Sequence, residues 1–271
     1  FLMMELIFLD QKKSRDRLEN GYFNLIADKW GPFLLNFYAC YRATVRSKVH
    51  GFTAGDDRVP ESQREKSRQL SVRYLELANR LIQTYQGPSL VLTMGLSGTG
   101  KTMVAKKLEA LSGIRVLHSD VIRKDLFQGS RAHPGQWNDG MYRLENKMRV
   151  YEKMFEEAEN SLKNGDSICL DASFLEPLQR KMAIQSASRQ KVPLIVLLCQ
   201  CDEAEVQEHL RKRKEAGEDL SDADFSIYLK QKAAFTGPAP IPASRVFPVD
   251  TSGEIPDKEL EMLASFVEWQ E

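Results

Sequence analysis

The 271-residue chain is short of several things, and each shortage excludes something. It has only four cysteines, Cys40, Cys169, Cys199 and Cys201, and their spacing fits no zinc site. Cys169 and Cys199 stand in apolar runs, where a free thiol behaves as a small buried hydrophobe. Charge of one sign is missing too: 38 Lys and Arg balance 38 Asp and Glu. That balance excludes a chain-wide footprint for nucleic acid or an anionic membrane and leaves room only for a local basic patch. No apolar run approaches the roughly 18–20 residues that span a bilayer, so the reading is not an integral membrane protein. The first residues, Phe1-Leu2-Met3-Met4-Glu5, carry no initiating Met and no basic region ahead of an apolar stretch, as a secretory leader would. The expectation is a reduced, cytoplasmic protein whose sequence begins partway through a folded unit. No internal repeat is visible.

What is present is ordinary globular material, 42% hydrophobic and 28% charged. The length suits one large domain or two modest ones, at about 100–200 residues each. Residues 1–86 read as helices. Leu2, Leu6 and Leu9 mark a short face, and Gln11 to Asp16 reads as a polar break. Leu18, Tyr22, Leu25, Ile26 and Trp30 recur at spacings of three and four, the helical period, before Gly31-Pro32 opens the next element. Phe33 to Val49 is apolar on one side (Leu34, Phe37, Tyr38, Tyr41, Val45) and basic on the other. Gly51 to Pro60 reads as a loop, and Ser62 to Tyr85 as a long amphipathic helix with Leu70, Tyr74, Leu77 and Leu81. The Arg/Lys stripe reads as a solvated face or an anion site.

At Gly87-Pro88 the character changes. Five short apolar runs follow, at Leu90–Met94, Ile114–His118, Ser167–Asp171, Val192–Leu198 and Ser244–Val249, separated by amphipathic stretches such as Met103–Leu111, Met141–Lys163 and Pro177–Gln190. Gly129 to Gly140 reads as a loop, and a last helix runs through Trp269. Strands alternating with helices imply a parallel sheet covered on both faces.

The sharpest feature is Gly95-Leu96-Ser97-Gly98-Thr99-Gly100-Lys101-Thr102, which fits G-x-x-x-x-G-K-[ST] between a strand and a helix. A polyphosphate needs several backbone N–H groups turned inward, and glycine lets the chain bend that tightly. Lys101 would reach the β- and γ-phosphates, the Thr102 hydroxyl would hold Mg²⁺, and the helix beginning there adds its positive end. The predicted fold is therefore α/β, a P-loop NTPase three-layer sandwich with a five-stranded parallel sheet in residues 87–271, preceded by the small all-α segment 1–86.

The other strand ends decide the chemistry, because ligands in open α/β sheets gather beyond the carboxyl ends of the strands. Strand two delivers Ser119-Asp120-Val121-Ile122-Arg123. Asp120 could accept a proton from an acceptor hydroxyl, and Arg123, one turn on, could clamp an anionic group; the plain alternative is that Asp120 only caps a helix. Strand three ends in Asp171-Ala172-Ser173-Phe174, an apolar strand closing on a carboxylate that can hold magnesium, with helix capping again the competitor. Ser173 could bond substrate or simply form a turn. Beyond strand four, Arg211-Lys212-Arg213-Lys214 sits on a helix ahead of Ser221-Asp222-Ala223-Asp224. Cations there could stabilise a transferring phosphate or form a solvated face. Pro238, Pro240 and Pro242 read as a stiff connector, and Val249-Asp250-Thr251-Ser252-Gly253 as a place where a base could stack.

Gly95–Thr102, Ser119–Arg123, Leu170–Phe174 and Ser221–Asp224 together resemble the predicted P-loop kinases of bacteria, an AAA-family ATPase group related to gluconate, adenylylsulfate and polynucleotide 5′-hydroxyl kinases and to zeta-type toxins. The resemblance spans about Pro88 to Gly253. It implies ATP as the nucleotide, Asp120 as the residue serving the acceptor hydroxyl, and lid arginines on the phosphates. The family lid often reads R-L-x-x-R. Here His209 and Leu210 fill the first two positions and Arg213 the last, so Arg213 is the better lid candidate, with Arg211 nearby and Gln231 matching a glutamine near the lid's end. Phe1–Leu6 and Phe37–Val49 resemble the final helices of an aminoglycoside-phosphotransferase-like domain, which implies a helical packing remnant without catalytic residues.

The leading expectation is an ATP- and Mg²⁺-dependent phosphotransferase acting on a hydroxyl, with a small-molecule acceptor. A nucleotide-dependent switch or scaffold, and a polynucleotide 5′-hydroxyl kinase, are the competing readings. Asp120-x-x-Arg123 favours the kinase, since a switch needs no acceptor site, and zero net charge weakens the nucleic-acid reading.

Overall fold

The computed structural model describes every residue except 27, 29–30, 84–86, 128–143, 217–224, 254, 256 and 269–271. Trp30, Tyr85, the Gly129–Gly140 stretch, Ser221–Asp224 and Trp269 thus lie outside the described residues. The chain divides into two compact units, Phe1–Gln86 and Gly87–Glu271.

The first unit holds α1 (Leu2–Phe8), α2 (Lys12–Leu25), α3 (Gly31–Gly55) and α4 (Glu61–Gln83). Its core is Met4, Ala39, Ala43, Tyr74, Leu77, Ala78 and Leu81, with Phe8 stacked on Tyr74 at 3.9 Å between ring centroids. Three expectations change here. The polar run Gln11–Asp16 is no break: helix α2 begins at Lys12 and carries these residues on its surface. Gly51–Pro60 is not a loop throughout, because α3 runs on to Gly55. The face of α3 that packs within the unit is also a different one. Ala39, Ala43 and Ser47, four apart, are buried, whereas Phe37, Tyr38 and Tyr41 are exposed. Small residues four apart let two helix backbones approach, and the Ser71 hydroxyl on α4 accordingly donates to the Ser47 carbonyl at 2.9 Å.

The second unit is a five-stranded parallel sheet in the order β2-β3-β1-β4-β5, built from β1 (Leu90–Met94), β2 (Arg115–His118), β3 (Ile168–Asp171), β4 (Leu194–Gln200) and β5 (Val246–Asp250). Helices α5 (Lys101–Ser112), α6 (Ser119–Leu126), α7 (Leu144–Lys163), α8 (Pro177–Gln190), α9 (Glu203–Ala216), α10 (Phe225–Ala234) and α11 (Asp257–Glu268) connect and cover it. Strands β1 and β3 are buried at every position, which is why they read as unbroken apolar runs. The outer strand β5 alternates, β2 is buried only at Leu117, and Pro248 falls on edge strand β5, where a missing N–H is tolerated. The fifth apolar run is shorter than expected, since Ala243–Arg245 forms a 3-10 turn before the strand. Leu90, Leu92, Met154, Phe155, Ile168 and Leu170 are among the buried side chains of the core on the α7/α8 side of the sheet. Cys169 and Cys199 are buried free thiols. Burial raises both, Cys199 to about 12, so neither acts as a nucleophile. Among the described residues, no helix is long and apolar enough to cross a membrane.

Candidate nucleotide and phosphoryl-transfer site

The turn between β1 and α5 places Gly95 to Thr102 at the carboxyl end of the central strand. Two glycines are dictated by their neighbours. A side chain at Gly95 (φ +148°) would stand 2.6 Å from the Cys199 carbonyl oxygen. One at Gly98 (φ +81°) would stand 2.9 Å from Val206 and 3.0 Å from Leu210, on α9. The turn is therefore pressed between β4 and α9, and backbone is all that fits. Thr251, fully buried after β5, donates its hydroxyl to the Thr99 carbonyl at 3.0 Å and supports the turn from behind.

Lys101 opens α5 and its Nζ donates to the Leu96 carbonyl at 2.6 Å, lying across the turn it would share with a polyphosphate. Burial pulls its ammonium below the ordinary lysine value, and the carboxylates of Asp171 and Asp120 oppose that pull, while Arg213 reinforces it. Asp171, Asp120 and Arg213 therefore each lie within electrostatic reach of Lys101.

Asp171 ends β3 and is buried. Its carboxylate is held at both oxygens. The Thr93 hydroxyl donates to Oδ1 at 2.7 Å, and the Thr102 hydroxyl donates to Oδ2 at 2.8 Å. His118 Nδ1 lies 2.9 Å from the same Oδ2. Burial alone would raise this carboxyl, but the bonds from His118, Thr93 and Thr102 and the charge of Lys101 outweigh it and hold the value below the ordinary aspartate range. The bond to Asp171 raises His118, with burial opposing. Asp171 caps no helix, since α8 starts at Pro177 behind a capping box on Glu176.

At the end of β2, the N-cap of α6 is His118, and no side chain caps it. Asp120 lies in the first turn, ion-paired with Arg123 three residues on, and is partly exposed. The capping alternative for Asp120 thus gives way to a carboxylate paired with a cation. Ser173 turns its hydroxyl to within 3.4 Å of Tyr151 on α7, and its carbonyl accepts the Gly95 N–H at 3.3 Å. The next residue, Phe174, takes a positive φ of 50° and is pinned by its N–H to the Tyr151 hydroxyl at 3.2 Å. Arg180, 1% exposed, donates to the carbonyls of Phe174, Leu175 and Ala239 and fixes this rim.

The two lid arginines separate. Arg211 is exposed and ion-paired with Glu208 and Glu215 on its own helix, so the structure does not bring it to the site. Arg213, two residues on, is partly buried. Gln231 on α10 is buried, and its side-chain oxygen accepts the Ser97 N–H at 2.8 Å, tying α10 to the turn. His209 Nδ1 lies 3.2 Å from the Gly98 carbonyl. Sequence reasoning did not single out Thr93, His118, Tyr151 or Arg180, and it took Thr251 as part of a base-stacking run, whereas its buried side chain braces the turn. Thr93 does carry a signal, as the polar residue of an otherwise apolar strand.

The residues present fit a magnesium ion. Among the described residues, no three His, Cys, Asp or Glu side chains cluster to cage a metal. A magnesium ion held mainly by phosphate oxygens and water needs only one or two protein ligands, and an ionised Asp171 beside a threonine hydroxyl supplies them.

A family model described as an AAA domain matches residues 90–238, more than half of the chain. An uncharacterized protein of Mycobacterium tuberculosis is 30% identical over 203 residues, covering 73% of this chain and 39% of that protein. The chain thus spans about two fifths of the length of the curated relatives it matches. A candidate kinase from Chloroflexus aurantiacus superposes with a TM-score of 0.54 at 18% identity, over 66% of this chain and 97% of that one, and shares the fold. A gluconokinase from Sinorhizobium meliloti aligns with a TM-score of 0.46 at 18% identity, over 66% of this chain and 90% of that one.

Proposed function

The chain belongs to the AAA domain family, and from that premise and the site geometry we propose that it is an ATP- and Mg²⁺-dependent phosphotransferase that moves the γ-phosphate to a hydroxyl on a small molecule. One observation carries this reading. The glycine-rich turn and the buried Asp171 share a hydrogen bond through Thr102, and a second carboxylate, Asp120, stands with a cation at the neighbouring strand end. A nucleotide switch has no use for the second carboxylate. The Chloroflexus protein with the same fold is also described as a kinase.

In this reading the polyphosphate is bound by the Lys101 ammonium and by backbone N–H groups of the Gly95–Thr102 turn other than those of Gly95, Ser97 and Thr99, which bond Ser173, Gln231 and Leu96. Lys101 exchanges the Leu96 carbonyl for phosphate oxygens, an exchange its burial favours because the amine gains a full counter-charge. Thr102 and Asp171 would hold magnesium, which neutralises charge on the phosphates. Asp120 accepts the proton of the acceptor hydroxyl at its carboxylate, and Arg123 orients that carboxylate and the acceptor. Arg213 contributes positive charge from the α9 side. Ser173 bonds the acceptor in this reading, exchanging its contact with the Tyr151 hydroxyl. Most of the acceleration comes from positioning and charge, as phosphoryl transfer requires. The helical unit is read, on sequence resemblance, as the closing helices of an aminoglycoside-phosphotransferase-like domain. Unpaired cysteines suit a cytoplasmic setting.

The test is a screen of hydroxyl metabolites and nucleic-acid ends for label transferred from γ-labelled ATP, with wild type beside Asp120→Asn. The reading expects a labelled acceptor whose formation depends on Asp120. Slow release of inorganic phosphate with no labelled acceptor would favour a switch. Label on nucleic-acid ends alone would replace the small-molecule acceptor.

A further inference from the structure

Strand order places three residues of the site in one row. On β2, β3 and β1 the pairing is His118 opposite Asp171, and Asp171 opposite Thr93. Residues in register on neighbouring parallel strands point to the same face about 4.8 Å apart, so both neighbours of Asp171 aim at its carboxylate. Each takes one oxygen, Thr93 at Oδ1 and His118 at Oδ2. The third donor, Thr102, shares Oδ2 but is itself a candidate ligand of the cation, so it cannot serve as a fixed support. Thr93 is fully buried and His118 is 27% exposed, which makes the imidazole the support nearer the site's opening.

We infer that His118 is a positioning residue for magnesium, setting the rotamer of Asp171 through Nδ1 so that one carboxylate oxygen faces the cation. The inference rests on the reading of Thr102 and Asp171 as the magnesium site. His118 also precedes Ser119 and Asp120 as the N-cap of α6, so one side chain ties the strand end that launches the acceptor carboxylate to the metal carboxylate. Outer partners of metal ligands typically contribute about 10–100-fold to affinity when removed. An imidazole that merely filled space between β2 and β3 would have no such selective effect.

The experiment measures binding of a fluorescent mant-ATP to the full chain in EDTA and in saturating MgCl2. Wild type is expected to bind more tightly with magnesium. His118→Phe is expected to lose about 10-fold or more of that gain while keeping its affinity in EDTA. His118→Asn, whose side-chain N–H can stand where Nδ1 does, is expected to keep the gain to within about 3-fold. Should His118→Phe fail to bind in EDTA, His118→Ala is read in the same way. If the histidine-deleting variant keeps the full magnesium gain, the inference is overturned and the magnesium reading stands. If wild type shows no magnesium gain at all, the assignment of Thr102 and Asp171 fails first and this inference with it.

Discussion

The two units spend their interiors differently. The helical unit buries small side chains on α3, a serine among them, and leaves Phe37, Tyr38 and Tyr41 outside, whereas the sheet unit buries its largest aliphatic residues and also admits charged groups held by hydrogen bonds. In the first, interior residues serve packing. In the second, a buried carboxylate, an adjacent ammonium and two hydroxyls sit where hydrocarbon would be more stable. Polar groups retained in that way mark a site.

Substitutions can break this contrast. The largest effect is expected from Lys101→Ala, with turnover falling on the order of 10²–10³-fold or more while the thermal midpoint hardly moves, because a partly desolvated ammonium contributes little to folding. Label transfer and a melting curve on the same preparation read both. Asp120→Asn comes next, with a loss of about 10²–10⁴-fold in transfer and unchanged nucleotide affinity. A variant that binds nucleotide poorly instead would move Asp120 out of the acceptor role.

In the helical unit the pattern should invert. Leu77→Ala, at 1% exposure, is expected to cost about 2–5 kcal/mol in denaturant unfolding of that unit. Tyr41→Ala, on the exposed face, should stay within about 0.5 kcal/mol. An equal cost for both would mean that the aromatic face is engaged. Gly98→Ala sharpens the comparison from the other side, since its methyl must displace Val206 and Leu210 in a left-handed backbone. It should cost about 1–3 kcal/mol and weaken nucleotide binding together.

The smallest expected effect is on pH dependence. The raised value of His118 means that its contribution to stability is full below the ordinary histidine value, about 6.5, and fades as pH climbs through the raised one. The depressed value of Asp171 means the reverse: full above about 3.9, fading as pH falls. The pair favours folding most between those limits. Urea titrations across pH should show the upper limb flattened in His118→Asn, and an unchanged limb would show that the imidazole is not charged in the folded chain.

Much of this was legible in the linear sequence where the cause is local. Buried strands show as apolar runs, and the Gly95–Thr102 turn shows because its glycines and lysine are adjacent. The partners of Asp171 were not legible. His118 and Thr93 meet it only because the strand order sets β2, β3 and β1 side by side, a fact of topology. For the same reason periodicity found apolar residues on α3 but not the face that packs within the unit, which is decided by the small side chains that let α4 approach. Arg211 and Arg213 differ by about 200° around one helix, so only one can face the turn, and a run of alternating Arg and Lys does not say which.

Arg180 has a mechanical consequence. One buried guanidinium grips the carbonyls of Phe174 and Leu175, just past Ser173, and that of Ala239, 59 residues after Arg180 itself. Lysine, with a single nitrogen, could not reproduce that planar three-way grip. The corner behind Ser173 is thereby braced against the segment at Ala239, so neither can shift without the other.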